Sequence, residues 1–374
     1  MKAFLKKNKL FTLGLVIVLM GALMVAGCGE PAEEPAPAPD DDVDAEPAPA
    51  EPDDNGETFE FSLSHMWPGG HPHEVDFAQE WADDLYEASN GRIEIVTYPG
   101  ATLLSGPETY EGVVQGVADL GMGVYAYTRG RFPFIETFLL PGMFITSAEG
   151  GSEAIMEGIE TFDPEELHDV HHIFTFTAGE GYLMSNEPIT TMEDLEGMEI
   201  GVTAGPRADA ITALGATDVV LPMPEWYEAL DRGIMEGGIC PLEALEGFRI
   251  GEVTADYMLS TPFLYNQIFF FVMNQEAWNS MPADLQEIFM EISNEYYENM
   301  MKGLFDELNE RALEFTRDIK DTDPVINTLD PEEEQRWLEL IEPIMGEYAE
   351  ELNERGLPGE EILDLAQELT DKYN

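Results

Sequence analysis

Arg207 closes an Ala-Gly-Pro turn and opens a helical stretch, in a chain with 17 basic residues against 76 acidic ones. Backbone N–H groups at a helix start favour an anion, and the planar fork of a guanidinium can bond both oxygens of a carboxylate. Together they make Arg207 the leading candidate for gripping an acid. The competing reading is a surface Arg paired with Asp209 or Glu225. Tyr125, Tyr127 and Trp226 offer faces that stack on an apolar or ring-bearing ligand and polar tips that orient it, although buried core aromatics look the same in sequence. Glu243, after Cys240-Pro241, and Glu180, in Ala-Gly-Glu-Gly, could accept from a ligand amine or hydroxyl, or hold a metal ion that bridges to a ligand carboxylate. Most glutamates in so acidic a chain are simply solvated.

His65, at the end of a strand-like run, is a candidate pocket residue. With His71, His73 and Glu74 it raises the question of zinc. His71 and His73, however, stand two apart beside Pro72 and match no recognised ligand spacing, so no metal or cofactor is expected. Nothing points to catalysis. The sequence has no Gly-x-Ser-x-Gly elbow, no phosphate loop and no Gly-x-Gly-x-x-Gly turn after its first strand. Cys240 has no neighbouring His and reads as a structural thiol.

The elements that must position these residues alternate. Thr58–His65 reads as a strand with Phe59, Phe61 and Leu63 on one side. A Pro/Gly loop follows, then a helix with Phe77, Trp81 and Leu85 on one face, ended by Asn90-Gly91. Arg92–Tyr98 is a strand, Pro107 opens the next helix, and Asp119–Val124 is a strand that breaks into Tyr125-Ala126-Tyr127. Phe174–Ser185 reads as one strand entering a second lobe. There Thr191 and Asp194 have the spacing of a capping box, followed by strand Met198–Thr203, helix Ala208–Leu214 stopped by Gly215, strand Asp218–Met223 and helix Glu225–Arg232. Gln267–Met273 is an apolar strand expected to return to the first lobe. Helical patterns then run from Ala283 to about Ile319, from Asp330-Pro331 to Gly356, and from about Glu360 to Asp371. Such alternation predicts largely parallel sheets with crossover helices. In open α/β sheets ligands sit outside the carboxyl ends of strands, here His65–Trp67, Tyr98–Ala101, Tyr125–Tyr127, Thr203–Arg207, Met223–Trp226 and Cys240–Glu243.

The phrases DLEGMEI, ALGAT, LPMPEWYEAL and DRGIMEGGICP, flanked by RIEIVTYPGATLL, PETYEGVVQGVADLGMG, GRFP and MNQEAWNSMPADLQ, occur in that order. The chain thereby resembles the substrate-binding proteins of tripartite ATP-independent periplasmic (TRAP) transporters over roughly Phe59 to Leu285, and more loosely beyond. The resemblance implies a small organic solute, with an organic acid preferred, held between two lobes, and delivery to a membrane permease. It also makes Arg131, in Gly-Arg-Phe-Pro, a candidate contact, since that position recurs in the family. Two departures matter. Many members carry a ligand-gripping Arg where this chain has Gly201, and an Asn where it has Cys240. A simple C4-dicarboxylate or sialic-acid ligand is therefore not expected.

Met1–Lys9 carries four lysines, Leu10–Ala26 is apolar with one Thr, and Val25-Ala26-Gly27-Cys28 follows. This pattern reads as an export signal. Its ending resembles the lipobox of bacterial lipoproteins, which implies lipid attachment to Cys28 and anchoring on the outer face of the cytoplasmic membrane. An uncleaved membrane helix is the alternative. Gly29–Gly56 is Pro, Ala, Glu and Asp and reads as an extended linker. The net charge is −59. Only twelve of the acids lie in Glu30–Glu57, so most of the excess belongs to the body. Such a surface repels nucleic acid and anionic membranes and reads as adaptation to salt. With Cys28 accounted for, Cys240 has no partner and no disulfide framework exists.

The expected architecture is α/β, a two-lobe periplasmic-binding-protein-like fold with hinge strands and C-terminal helices spanning both lobes. Residues 1–27 are the signal and 28–57 the linker. Lobe 1 is 58–176 with a return segment at about 265–310. Lobe 2 is 177–264 with helices at about 311–374. The rival functions are a ligand sensor feeding a membrane receptor and a zinc-handling lipoprotein.

Overall fold

The computed structural model describes residues 56–254, 256–321 and 324–373. The export signal, Cys28 and nearly all of the linker lie outside these residues. Among the described residues the strands are β1 Phe59–His65, β2 Ile93–Tyr98, β3 Leu120–Val124, β4 Val170–Thr177, β5 Tyr182–Ser185, β6 Glu199–Val202, β7 Thr217–Val220, β8 Gly237–Cys240, β9 Tyr257–Ser260, β10 Ile268–Asn274 and β11 Ile326–Asn327.

They form two sheets, ordered β2-β1-β3-β10-β4 and β11-β9-β5-β8-β6-β7. In the first, β1, β2 and β3 are parallel, with Leu63 opposite Leu120 and Phe61 opposite Ile95. Helices Gln79–Ala88 and Thr109–Val114 make the crossovers, and Trp81 and Leu85 are fully buried on the face their spacing assigned. The returning strand β10 lies antiparallel between β3 and β4. Its run Ile268-Phe-Phe-Phe-Val-Met is buried throughout, as a strand covered on both faces must be. The second sheet is mixed as well: β6 is parallel to β7 and β8, whereas β5 pairs antiparallel with β8 and β9. Both sheets are therefore less parallel than alternation alone predicts, because the two segments joining the lobes enter each sheet against its parallel strands.

Phe174–Ser185 is not one strand. β4 belongs to the first sheet and β5 to the second, and Ala178–Gly181 crosses between them. The break is built on glycine: Gly179 has φ +69, a conformation costly for other residues, and a Cβ on Gly181 would fall on the Tyr265 ring. The second crossing segment, 261–267, runs beside the first. Ala178 N–H donates to Gln267 O at 2.9 Å and Thr261 N–H to Gly181 O at 3.0 Å. These paired crossings are the hinge strands.

The C-terminal helices touch both lobes. Asp306, on helix Leu304–Lys320, accepts from the N–H groups of Ala148 and Glu149 on the first lobe. Asn309 on the same helix accepts from Glu243 N–H on the second, at 2.8 Å. On helix Pro331–Glu354, Glu333 accepts from Met192 N–H and the Tyr348 hydroxyl donates to Pro133 O. The Thr191–Asp194 capping box is present in both directions, but it opens only a single 3-10 turn. No described helix is long and apolar enough to cross a membrane.

Candidate ligand-binding cleft

The carboxyl ends of β1, β3, β6, β7 and β8 converge on one cavity between the sheets. They bring Met66 and Trp67, Val124 and Tyr127, Thr203, Met223 and Trp226, and Ile239, Pro241 and Glu243 to its wall. Tyr265, Gln267 and Phe269 come from the second crossing and β10, Phe248 from the end of a short helix, and Phe305 from the long C-terminal helix. The free space left between these walls is small, about 30 Å³, against roughly 300–1,000 Å³ for small-molecule sites, so a ring-bearing ligand enters only when the lobes move apart. The walls are mostly aromatic and apolar. Trp67 is completely buried, stacks on His73 with ring centres 4.3 Å apart, and meets Phe269 at 5.5 Å; Phe269 in turn stacks on Phe305 at 5.1 Å.

Arg207 sits behind this wall, 1% exposed. Its Nη1 donates to Gln267 Oε1 at 2.9 Å and to Thr203 Oγ1, its Nη2 donates to the Asn266 carbonyl, and its guanidinium lies 4.2 Å from the centre of the Tyr265 ring. All these partners are neutral. Among the described residues no carboxylate pairs with Arg207: of Asp209 and Glu225, the two partners the surface reading offered, Asp209 instead pairs with Arg129 at 2.7 Å. Arg207 Nε and Gln267 Nε2 are buried donors with no acceptor. Burial pushes the guanidinium down to about 10, because a desolvated cation without a counter-charge is disfavoured.

Among the described residues, contacts that join the lobes across the cleft include the following. Tyr127 Oη accepts from Met223 N–H at 3.0 Å, Arg129 pairs with Asp209, and His71 Nε2 hydrogen-bonds Glu243 Oε1.

Of the two departures from the TRAP pattern, the one at Gly201 has a steric basis. A Cβ on Gly201 would stand 2.6 Å from Met235 Cε and 3.2 Å from the Trp226 ring, and one on Gly238 would fall on the same indole. Trp226, buried and anchored by Nε1–H to Leu221 O at 2.9 Å, lies flat on these glycines. An arginine stem leaving β6 at Gly201 would collide with it. Cys240 is buried against Met184, with its thiol pushed up by burial.

Of the residues singled out in sequence, Tyr127, Trp226 and Glu243 line the cavity and Arg207 backs it. The rest are placed elsewhere. Tyr125 points into the first-lobe core, edge-on to Phe132 and Phe270, and shares a hydrogen bond with Thr175. His65 is fully buried and bonds Glu74, which also accepts from Thr97 and Gln79. Burial alone would raise the Glu74 carboxyl, but these bonds outweigh it and hold the group low. The cluster ties β1, β2 and the first helix together. Arg131 is half-buried, pairs with Asp169 and Glu111, and lies over Phe132. Glu180 accepts from Tyr182 and Ser260 at the hinge. Among the described residues no three His, Cys, Asp or Glu side chains are placed to hold a metal ion. Trp67, Tyr265, Gln267, Phe269 and Phe305 went unrecognised as wall residues. Only Trp67, next to a strand end, carried a sequence signal.

Two lobes, paired hinge crossings and a cleft at the carboxyl ends of strands define an extracytoplasmic solute-binding fold. The profile of bacterial extracellular solute-binding protein family 7 matches residues 63–351, and the chain belongs to that family. It is a family of transport solute-binding proteins, not of enzymes. The chain is similar to a solute-binding protein of Albidiferax ferrireducens, 25% identical over 246 residues that cover 64% of this chain and 72% of that one. It is also similar to the C4-dicarboxylate-binding periplasmic protein of Rhodobacter capsulatus, 24% identical over 71% of this chain and 79% of that one. Among solved structures, a marine metagenome TRAP solute-binding protein specific for aromatic acid ligands, from an unidentified microbe and in complex with 3-hydroxybenzoate, superposes with a TM-score of 0.79. It is 25% identical and covers 85% of this chain and 100% of that one.

Proposed function

We propose that this protein captures a ring-bearing organic acid between its lobes and delivers it to a TRAP membrane permease. The observation that carries the reading is Arg207: a buried cation without a counter-charge, with an unfilled donor beside the unfilled Gln267 donor, behind a cavity walled by aromatic rings. A carboxylate would supply the missing charge and acceptors, and the ring would lie among Trp67, Trp226 and Phe269. The superposed relative that binds aromatic acids supports this choice over a C4-dicarboxylate. The lobes close by hinge motion about the two crossings, and the expected division at residues 176/177 and 264/265 belongs to the same proposal.

The lipid anchor on Cys28, the extended acidic linker and a salt-adapted surface complete the reading. They rest on sequence, and Cys28 is testable directly: Cys28→Ser should move the protein from the membrane fraction to the medium or periplasm. For the ligand, native mass spectrometry of the purified full chain should reveal a one-to-one organic acid. A panel of ring acids that produces no thermal shift would overturn the assignment. Deleting the permease genes should abolish uptake and leave binding intact.

A further inference from the structure

We propose that the His71–Glu243 pair is a specificity-determining wall of the cleft, favouring acids that carry a hydroxyl or amino donor remote from their carboxylate and rejecting diacids. This rests on the ring-acid reading above.

Glu243 is 4% exposed and lines the ligand cavity on one side. On its other side it borders a separate, more open cavity of about 270 Å³ that also touches His71, Glu246, Gly247 and Arg311. The pair is thus a partition between the aromatic chamber and a wetter space. It also spans the lobes, His71 from the loop after β1 and Glu243 from the segment after β8.

The hydrogen bonds fix how the pair presents itself. His73 N–H donates to His71 Nδ1 at 3.1 Å, so Nδ1 is an acceptor and carries no proton. The proton of the neutral ring is then on Nε2, which donates to Glu243 Oε1. Among the described residues no other donor reaches the Glu243 side chain, leaving Oε2 with open lone pairs. Glu243 N–H is tied to Asn309. Gly247 packs so closely that a Cβ there would overlap both Glu243 Oε1 and His71 Nε2. The residue is held in place through its backbone by Asn309 and at its carboxylate by His71 and the close packing of Gly247.

No hydrogen bond joins Arg207 to Glu243. Cys240 stands in the field of both, the carboxylate disfavouring its thiolate and the guanidinium favouring it. The cavity surroundings therefore carry both signs, a cation behind Gln267 and Thr203 and an anion in the wall at Glu243. A monoacid bound at Arg207 meets a carboxylate with free lone pairs. A ligand hydroxyl or amine can satisfy it, bare ring carbon leaves it under-bonded, and a second carboxylate meets like charge in a desolvated space.

The test is isothermal titration of benzoate, 3-hydroxybenzoate, 3-aminobenzoate and isophthalate against the full chain, purified in detergent and high salt. Wild type should bind the hydroxy and amino acids about tenfold more tightly than benzoate, and isophthalate more weakly than benzoate. In Glu243→Gln the donor preference should fall to within threefold and isophthalate should gain at least tenfold relative to benzoate. Glu243→Asp, which keeps the charge but draws it back, is the second variant should the first not fold; it should lose the donor preference and keep the rejection of isophthalate. If the acids bind but the ranking is flat in wild type, or unchanged in the variants, the proposal fails and the ring-acid reading stands. If none of the four binds wild type, that reading fails and takes the proposal with it.

Discussion

Replacing Arg207 with Met keeps an unbranched apolar stem and removes the guanidinium and its charge. The loss of binding can be worked from the contacts. The guanidinium presents an unfilled Nε–H, and its neutral partner Gln267 presents a second unfilled donor. A carboxylate taking two charge-assisted bonds there gains about 1.5–3 kcal/mol from each. The Met variant removes the Arg207 bond and leaves that of Gln267, so the loss is about 1.5–3 kcal/mol, which at ~1.4 kcal/mol per decade is about 10- to 150-fold in Kd. Stability of the unliganded protein should respond differently. A guanidinium pushed down to about 10 by burial has lost roughly 3 kcal/mol of preference for its charged form. The Met variant removes that penalty while forfeiting three hydrogen bonds to neutral acceptors and the Tyr265 contact, so the two effects offset. The unliganded melting temperature should stay within about 4 °C of wild type. The assay is titration with 3-hydroxybenzoate, alongside thermal unfolding without ligand. Affinity within threefold of wild type, or a melting temperature lower by more than about 10 °C, would refute the reasoning. The first outcome means no anion meets Arg207; the second means the residue is structural. The pH dependence gives the same test without mutation. A bound carboxylate raises the guanidinium above its value of about 10 in the free protein. Affinity is therefore full below pH 10 and falls as pH rises through it, by up to tenfold per unit.

Gly238→Ala should destabilise by about 1–3 kcal/mol in urea unfolding, because the new methyl meets the rigid Trp226 ring. Gly201→Ala should cost less, since the atom in the way is mainly the flexible end of Met235. With Trp67 and Trp226 both on the cavity wall, ligand binding should change intrinsic fluorescence, and Trp67→Phe with Trp226→Phe should remove most of that change; an unaltered signal would place the ligand elsewhere. The formal charge of −59 predicts a melting temperature that climbs steeply between 0.05 M and 1 M NaCl as self-repulsion is screened. A flat profile over that range would contradict a salt-adapted surface.

Local sequence determined the elements. Phe77, Trp81 and Leu85 repeat at helical spacing and are buried, Gly215 follows the end of helix Pro206–Ala213 with φ +96, and Thr191 and Asp194 cap a turn. These signals act over a few residues, through backbone conformation and side-chain period, and the family phrases follow the same order. Which side chains face the cleft was decided elsewhere. Tyr125 and Tyr127 are two apart on one turn and identical in type, yet the first packs on Phe132 and the second bonds across the lobes to Met223. The departure at Gly201 reads as a missing contact until Trp226 and Met235 are seen filling its place. Arg207 was singled out by its turn, but its burial and its partners Asn266 and Gln267 come from a segment some 60 residues away. Gln267, Phe269 and Phe305 gave no sign of their role, because an apolar run reads as core wherever it lies. Spacing along the chain fixes which residues share a face. Only the packing of one lobe against the other fixes what that face meets.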